Sequence, residues 1–446
     1  MVRAIIAGGS VAGLATAKAL SNKFDEIIIL EADKEPETIE ARKGVPQGRH
    51  VHGLLKGGSD ALTKLFPELP EMLEEFSAPT ADFCGDVKWY LNKRFMPRFN
   101  GDLPIRFQSR PLLEYCIRHC VQKLPQVTFR YQTRVTDYET DPSGDQVVAV
   151  HIQEISGEKE RIEGDLFIDA TGRGSKLPKW LEEKGYGTVP ISETRVDLGY
   201  ASCFLQLPPD DQRDWTSLLI YPTGPDEVRG CTLVRVENDT WLLTLAGYHK
   251  DHPPSDKQGF LEFAKNLPRP EVYEAVKDAE FLSDISLHKF PSSIRRHYDR
   301  LKHFPLRLIP VGDTNVSLNP LFGQGMSIAF QSVQSLQERL DTVDLRNEGD
   351  VLILRNFYLQ SLNRIFRTPW DLAMGQDFKY LQTTGNPPFG WKIKNQLKAL
   401  VLSSSAPNVI ESFFKVVHLI EPEKVFYRPL KMIQILASAS SNDLKK

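Results

Sequence analysis

Residues 3–31 have the sequence RAIIAGGSVAGLATAKALSNKFDEIIILE. Residues 4–7 form a short apolar run that predicts a buried parallel strand, and residues 11–20 carry small and apolar side chains at helical spacing. A second apolar run follows and ends in the acid Glu31. The stretch therefore predicts a strand, a tight glycine turn, a helix and a second strand, which together form a nucleotide-binding βαβ unit.

The turn in this unit has two glycines with separate roles. Gly8 lets the chain reverse, and Gly13 lets the helix pack closely on the strand, so that the helix N-terminus can face a pyrophosphate. Ser10 replaces the usual middle glycine, and its hydroxyl can itself donate to phosphate. Glu31 lies at the spacing that binds both hydroxyls of an adenosine ribose, which favours FAD or NAD. Taken alone, the motif leaves open an ordinary βα turn of another α/β protein.

Composition narrows the class of protein. The chain has 446 residues, which is more than one compact domain usually contains. Its formal net charge is −3, which gives no electrostatic reason to expect nucleic-acid binding. Met1 leads directly into the first strand, which leaves no room for a secretory signal, and we expect a cytoplasmic protein. No apolar run approaches the roughly 20 residues that span a bilayer.

The five cysteines are scattered along the chain and predict reduced thiols. Cys116 and Cys120 would share a helical face near His119, but no second pair of metal-ligand type accompanies them. We therefore expect structural cysteines and no metal site.

The stretch at residues 42–55 concentrates glycines and convergent donors before a helix that continues to about Phe66. Arg49, His50 and His52 are candidates for contact with phosphate or a cofactor ring, and the alternative is a solvated basic loop. Residues 66–104 are Pro-rich and predicted to be irregular. Their aromatic side chains either line a substrate cavity or belong to an ordinary core.

Two later segments repeat the pattern of a buried strand followed by a glycine turn. Asp169 ends one strand and precedes Gly172, and Gly312-Asp313 ends another before a helix from about Met326 to Leu340. Between them, residues 187–289 contain short alternating strands that predict an inserted, mostly antiparallel sheet. Because the carboxyl ends of parallel strands meet at one sheet edge, the three turns together predict one extended ligand, such as a dinucleotide.

The chain beyond about residue 347 is predicted to be helical. Its apolar stripe, which includes Phe413, Phe414 and Ile433, is most simply core packing. A helix on a membrane surface is the alternative, because lysines flank the stripe.

The three motifs together resemble the FAD-binding motifs of the flavoprotein monooxygenase superfamily, of the aromatic hydroxylase and squalene epoxidase type, over residues 1–345. Residues 44–52, the Asp169 motif and residues 319–326 are most similar to flavin-dependent polyene epoxidases of polyether biosynthesis. The implied fold is α/β: a Rossmann-like FAD-binding domain of the glutathione-reductase type, interleaved with a mostly antiparallel substrate sheet and followed by a C-terminal helical region. We expect the FAD-binding domain to be made of residues 1–66, 105–186 and 290–345. Residues 67–104 are expected to lie on the substrate side, and residues 187–289 to form the substrate-binding sheet domain. Residues 346–446 are expected to form the C-terminal helical region.

The resemblance also assigns residues by matching position. Glu31 would bind the adenosine ribose, and Val135 would contact the adenine side. Asp313 would bind the ribityl chain, and the amides of residues 323–326 would face the flavin ring. The full set of expected cofactor-binding residues is Gly8, Gly9, Ser10, Gly13, Glu31, Ala32, Arg49, Arg110, Val135, Asp169, Gly172, Gly312, Asp313, Pro320, Gly323, Gln324, Gly325 and Met326. His50 and His52 are the candidate catalytic proton donors.

The implied reaction is transfer of one oxygen atom from a flavin C4a-hydroperoxide to an apolar organic substrate, by epoxidation or hydroxylation in secondary metabolism. NADPH or NADH would supply electrons, either directly or through a flavin reductase. A reductase of prenyl double bonds, similar to geranylgeranyl reductase, is the alternative. A flavin-dependent halogenase is less favoured because the chain lacks a Trp-x-Trp-x-Ile-Pro segment, and a non-catalytic FAD-stabilised partner protein is a further class.

Overall fold

The computed structural model describes residues 1–42, 44–209 and 213–438. Along these residues the helices are α1 (Val11–Leu20), α2 (Lys56–Leu65), α3 (Leu69–Glu75), α4 (Phe83–Asp86), α5 (Arg110–Gln122), α6 (Leu177–Glu183), α7 (Lys257–Lys265), α8 (Glu271–Val276), α9 (Gly325–Leu340), α10 (Glu348–Asp377), α11 (Trp391–Ser403), α12 (Pro407–Val417) and α13 (Pro429–Ser438).

In the same order the strands are β1 (Arg3–Ala7), β2 (Glu26–Leu30), β3 (Thr80–Asp82), β4 (Val87–Leu91), β5 (Arg94–Phe95), β6 (Pro104–Arg106), β7 (Val127–Arg130), β8 (Thr133–Thr140), β9 (Val147–Glu154), β10 (Lys159–Glu163), β11 (Leu166–Asp169), β12 (Ile191–Gln206), β13 (Ser217–Ile220), β14 (Arg229–Arg235), β15 (Trp241–Gly247), β16 (Glu280–Phe281), β17 (Ser286–Arg296), β18 (Leu308–Pro310), β19 (Val316–Ser317) and β20 (Thr384–Gly385).

A five-stranded parallel sheet forms the first layer, in the order β18-β11-β1-β2-β7. Ile5 of β1 pairs with Ile28 on one side and with Phe167 on the other. All three side chains are buried, because helices and loops cover a parallel sheet on both faces. The predicted α/β class is confirmed, and β18, β11 and β1 lie side by side, so their carboxyl ends share one edge.

The largest sheet is mostly antiparallel and has the order β19-β17-β12-β15-β14-β13-β4-β5. Its long central strand β12 pairs antiparallel with β15 and with β17. The alternating strands predicted within residues 187–289 are confirmed by β12 to β16. A separate three-stranded sheet, β10-β9-β8, contains a hairpin around Gly157.

The prediction that residues 66–104 are irregular is wrong. This segment contains two helices, α3 and α4, and strands β3 to β5. β4 joins the largest sheet by parallel pairing with β13, about 130 residues later in the chain. Such pairing depends on a distant partner and leaves little trace in the local pattern.

The C-terminal region is helical, as predicted, with the short strand β20 inserted between α10 and α11. The hydroxyl of Tyr358 on α10 donates to the main-chain oxygen of Pro310 at 2.9 Å, which joins this region to β18. Phe413 and Phe414 on α12 are buried against Phe83 and Trp89. Within the described residues, no helix has the length and apolar character required to cross a membrane.

Candidate functional site

The first glycine turn leaves no room for side chains. Gly8 has a φ of +104°, and a methyl group there would lie 2.4 Å from the main-chain oxygen of Ala170. A methyl group at Gly13 would lie 1.9 Å from the main-chain oxygen of Gly8. Both positions therefore need glycine: α1 packs against the strand end, and its N-terminus lies at the sheet edge.

Glu31 directly follows β2 and is buried beside this turn. Its carboxylate accepts hydrogen bonds from the main-chain N–H groups of Gly9, at 3.0 Å, and Asp33, at 2.9 Å. Arg42 approaches the same carboxylate at 3.1 Å. These contacts fix an acid near the N-terminus of α1, the place at which the sequence predicted the ribose contact.

Ser10 and Arg110 are joined directly. The guanidinium of Arg110 donates to the Ser10 hydroxyl at 2.9 Å, and that hydroxyl lies 3.0 Å from Glu114. Arg110 is 5% exposed and is held at the start of α5 by Ser109, whose hydroxyl caps the helix as predicted. The serine in place of a glycine thus positions a buried cation beside the turn.

Glu114 is the centre of a charge cluster that the sequence analysis missed. Its carboxylate pairs with Arg110 and Arg118 on its own helix, at 2.9 Å each, and with Arg42 at 2.6 Å. Burial alone would raise the pKa of Glu114, but the three guanidinium groups outweigh it and lower the pKa to about 2. The spacing 110, 114, 118 places these side chains on one helical face, which was the available signal.

The second turn is organised by Asp169. Its carboxylate accepts hydrogen bonds from the N–H and hydroxyl of Thr171 and from the hydroxyl of Ser175. The N–H of Gly172 donates to the hydroxyl of Thr314 in the third turn at 3.2 Å. Asp169 therefore shapes the second turn, and Gly172 connects it to the third.

The third turn begins at Gly312, which has a φ of +65°. A methyl group at Gly312 would lie 2.9 Å from the side chain of Ala12 on α1. Asp313 follows, and burial raises the pKa of its carboxyl group. All three turns therefore touch one another at the shared sheet edge. The structure brings together the glycine motifs that the sequence placed some 300 residues apart.

A half-buried arginine from the largest sheet also connects two turns. Arg296, at the end of β17, donates to the main-chain oxygens of Arg173, at 2.8 Å, of Asp313, at 3.1 Å, and of Thr314, at 3.0 Å. The sequence analysis missed this residue because its role depends on carbonyl groups from two distant segments.

The loop before α9 faces the loop at residues 44–53. Gly323 has a φ of +63°, and a methyl group there would lie 3.6 Å from the Cα atom of Gly53. Pro320 and Gln324 belong to the same loop, and Met326 is buried in the first turn of α9. The side chain of Gln324 does not cap α9, and its Oε1 atom is buried with no hydrogen-bond partner among the described residues.

Asn319 holds this loop from behind. Its side-chain oxygen accepts from the N–H of Leu321 at 3.1 Å, and its amide nitrogen lies 2.9 Å from both Asp377 and the hydroxyl of Tyr248. Asp377 ends α10 and is fully buried, and burial raises its pKa to about 7. The C-terminal region therefore braces the glycine loop through a buried polar cluster.

The two candidate histidines differ in their surroundings. His50 is 2% exposed, and its Nδ1 atom lies 2.7 Å from the hydroxyl of Ser202. His52 lines the cavity described below, and its Nδ1 atom lies 2.9 Å from the main-chain oxygen of His50. Burial lowers the pKa of His50 to about 3 and that of His52 to about 4. Both rings are therefore neutral at pH 7.

The remaining predicted site residues lie around this centre. Gly9 is beside Glu31, and Ala32 is exposed immediately after it. Val135 is half-buried on β8. Arg49 is exposed and lines a second cavity, of about 480 Å³, between its loop and the edge of the largest sheet.

An apolar cavity of about 150 Å³ lies next to the glycine loop. Gly53, Phe322 and Gly323 line it on the side of the turns, and aromatic and aliphatic side chains of β4, β13 and α12 line it elsewhere. Its walls thus combine the parallel-sheet region, the largest sheet and the C-terminal helices. An apolar compound can bind there beside a ligand held by the three turns.

The five cysteines are buried free thiols, and burial raises the pKa of Cys116 and Cys120 to about 12. Among the residues that the structure describes, no group of His, Cys, Asp and Glu side chains could hold a metal ion.

Comparison with known proteins gives distant relatives along most of the chain. It is 28% identical over 405 residues to Protein Rv3254 of Mycobacterium tuberculosis, covering 87% of this chain and 83% of that protein. It is 26% identical over 368 residues to squalene epoxidase erg1 of Aspergillus fumigatus, covering 78% of this chain and 68% of that protein. No protein-family model matches the chain.

Solved structures share the fold at lower identity. The flavin-dependent brominase Bmp2 aligns over 100% of this chain and 99% of its own, with a TM-score of 0.67 and 15% identity. A flavoprotein/dehydrogenase of Cytophaga hutchinsonii aligns over 98% of this chain and 99% of its own, with a TM-score of 0.68 and 15% identity. OxyS anhydrotetracycline hydroxylase of Streptomyces rimosus aligns over 94% of this chain and 76% of its own, with a TM-score of 0.62 and 16% identity. The chain has the fold of flavin-dependent monooxygenases and halogenases.

Proposed function

We propose that this protein is an FAD-dependent monooxygenase that transfers one oxygen atom of O₂ to an apolar organic substrate, by epoxidation of an alkene or by hydroxylation, in secondary metabolism. The observation that carries the proposal is the meeting of three glycine turns at one sheet edge beside an apolar cavity. The relatives named as a squalene epoxidase and a hydroxylase support it, as does the shared fold.

The residues around the turns fit FAD. A methyl group at Gly174 or Gly325 would meet no atom within 4 Å, and one at Gly172 would meet only Asp313, at 3.9 Å. These glycines therefore border open space, unlike the tightly packed Gly8 and Gly13. Glu31 would bind the ribose, the N-terminus of α1 the pyrophosphate, and Asp313 the ribityl chain.

When bound, reduced FAD supplies the electrons that activate O₂ for oxygen transfer. The chain itself binds and orients the reactants and excludes water. The N-terminus of α9 would place positive potential beside the flavin ring and so stabilise negative charge on it, and Arg110 would contact FAD from the start of α5. The apolar cavity walls keep the reacting atoms dry.

His50 and His52 stay our candidates for proton donation, and the geometry sets a condition on that role. With a pKa of about 3, His50 is not an imidazolium at pH 7, so it can act only as a neutral hydrogen-bonding ring. Its bond with Ser202 would then orient it.

The decisive experiment mixes the FAD-loaded protein with a reductant, ¹⁸O₂ and a panel of polyenes, terpenoids and aromatics. We expect one ¹⁸O atom in a product. Addition of hydrogen without oxygen would instead identify a reductase of prenyl double bonds. Asp313→Ala should lose bound FAD, and full retention of the flavin by this variant would contradict the site assignment.

Bromination is the second candidate function, favoured by the likeness to Bmp2 over the entire chain. The same reaction with bromide and a phenol distinguishes it, because a brominated product differs in mass from an oxygenated one.

The source of electrons is part of the proposal. NADPH or NADH would reduce the flavin directly, or a separate flavin reductase would do so. Anaerobic mixing of the FAD-loaded protein with each nicotinamide, with and without a flavin reductase, separates the two routes by the bleaching of the flavin absorbance.

We also propose that the protein acts in the cytoplasm, with peripheral membrane contact through its C-terminal helices. Ile393 on α11 is 72% exposed, and Leu430 and Ile433 on α13 are 77% and 63% exposed. Lys392 lies on α11 and Lys431 on α13, which suits an anionic surface. Co-sedimentation with anionic vesicles tests the contact, and Leu430→Glu combined with Ile433→Glu should abolish it.

A further inference from the structure

Two polar side chains of the C-terminal helices line the apolar cavity, Gln376 on α10 and Lys398 on α11. The two helices are joined by a hydrogen bond of 2.5 Å from the side chain of Asn395 to the main-chain oxygen of Gly375. Gln376 follows Gly375 directly, and Lys398 lies one turn after Asn395. The two polar groups thus line one cavity from two helices that are in direct contact.

Lys398 differs from its neighbour Lys394, one turn earlier on the same helix. Lys394 pairs with Asp371 and, at 3.6 Å, with Glu423, so both nearby acids already have a partner. Lys398 has no hydrogen bond or ion pair with any described residue. Burial and, to a lesser degree, the positive charge of Lys379 lower the pKa of Lys398 to about 7, against a smaller opposing effect of Glu423.

An unpaired ammonium group in an apolar wall is costly unless an anion accompanies it. Glu423 attracts Lys398 electrostatically but already pairs with Lys394, and the side chain of Lys398 also lines the cavity. A carboxylate that enters with the substrate would restore the charge balance, and Gln376 would offer a second donor. A phosphate is less suitable, because one lysine and one amide do not balance a dianion in an apolar site.

We propose that Lys398 binds a carboxylate of the substrate, and that the substrate is therefore an apolar organic acid. This inference rests on the proposed function, which makes the cavity the substrate site. Lys398 is then a specificity-determining residue: it selects and orients one end of the substrate while the apolar walls hold the remainder.

Isothermal titration calorimetry of the oxidised, FAD-loaded protein tests this without turnover. The probes are dodecanoate and 2-naphthoate, each compared with its methyl ester. We expect the wild-type protein to bind at least one acid about tenfold more tightly than its ester, and Lys398→Met to remove that preference. Equal affinity for acid and ester in both pairs would overturn the proposal.

Two features keep the experiment decisive. Lys398→Met removes an unpaired, half-buried amino group, so the variant should fold at least as stably as the wild type. Lys392→Met, an exposed position on the same helix, is the matched control and should keep the preference for the acid. A preference retained by Lys398→Met would also contradict the inference. Because no oxygen transfer is measured, this result and the ¹⁸O₂ experiment can fail independently.

Discussion

The guanidinium of Arg296 donates a hydrogen bond to the main-chain oxygen of Arg173, across 123 residues of sequence, at 2.8 Å. The same group donates to the carbonyls of Asp313 and Thr314. One side chain from the largest sheet thus fixes two of the three turns at the edge of the parallel sheet. Charge-assisted bonds of this kind are stronger than neutral ones.

We therefore expect Arg296→Met to weaken FAD binding at least tenfold and to lower the free energy of unfolding by about 2 kcal/mol, since it takes the side-chain donor from the carbonyls of Arg173 and Asp313. Flavin fluorescence titration and urea unfolding measure the two effects. Arg195→Met, an exposed arginine on β12, is the control and should change neither. Wild-type FAD affinity in the Arg296 variant would show that the turns keep their geometry without it.

Two glycine substitutions should separate packing from cofactor binding. Gly13→Ala places a methyl group 1.9 Å from a main-chain oxygen, so we expect a loss of about 3 kcal/mol or more in unfolding free energy, or an insoluble protein. Gly325→Ala meets no atom within 4 Å and should change the stability of the FAD-free protein by less than about 1 kcal/mol. Its FAD affinity should still fall, because the methyl group enters the space that we assign to the flavin.

Thermal unfolding of both variants, with and without FAD, measures this. If Gly325→Ala keeps the full FAD-dependent rise in melting temperature, the flavin ring lies elsewhere.

Asp377 should make stability depend on pH. Burial raises the pKa of Asp377 from 3.8 to about 7, so between these values the folded state holds a proton that the unfolded chain releases. Its contribution to stability is therefore present at low pH and lost as pH rises towards 7, at up to about 1.4 kcal/mol per pH unit. Asp377→Asn should remove this contribution.

The informative quantity is the difference in unfolding free energy between wild type and Asp377→Asn, measured from pH 4 to pH 8. The difference cancels the opposite contribution of the buried histidines. A difference that does not vary with pH would mean that Asp377 titrates normally.

The candidate histidines should not titrate near neutrality. Burial lowers the pKa of His50 to about 3 and that of His52 to about 4, so both rings stay neutral from pH 5.5 to pH 8. The ¹³Cε1 chemical shifts of labelled histidine should stay constant for these two residues, with His50→Gln and His52→Gln supplying the assignments. A titration midpoint near 6.5 for either ring would restore it as an imidazolium donor.

Local signals carried much of the fold. Helix α1 begins at Val11 and ends at Leu20, as predicted, and Ser109 caps α5, because periodicity and capping chemistry depend on neighbouring residues. β4 was missed because its strand character depends on pairing with β13.

The same division applies to the candidate site. The glycine turns could be located because glycine is required there, whatever the rest of the chain does. Arg42, Arg296 and Asp377 were missed because each has a contact in its site that spans 72, 123 or 58 residues of sequence, respectively. Lys398 was missed for another reason: its distinction is the lack of a partner among the described residues, which a sequence does not reveal.

The position of α12 has a consequence for synthesis on the ribosome. The glycine turns and α9 are complete once residue 340 has emerged, but Phe413 and Phe414 come more than 70 residues later. A nascent chain can thus have its nucleotide-binding edge assembled while Phe83 and Trp89 still face water. During that interval the incomplete chain exposes an aromatic surface that is prone to aggregation. A chaperone or an early-bound cofactor would therefore protect the chain most at that stage.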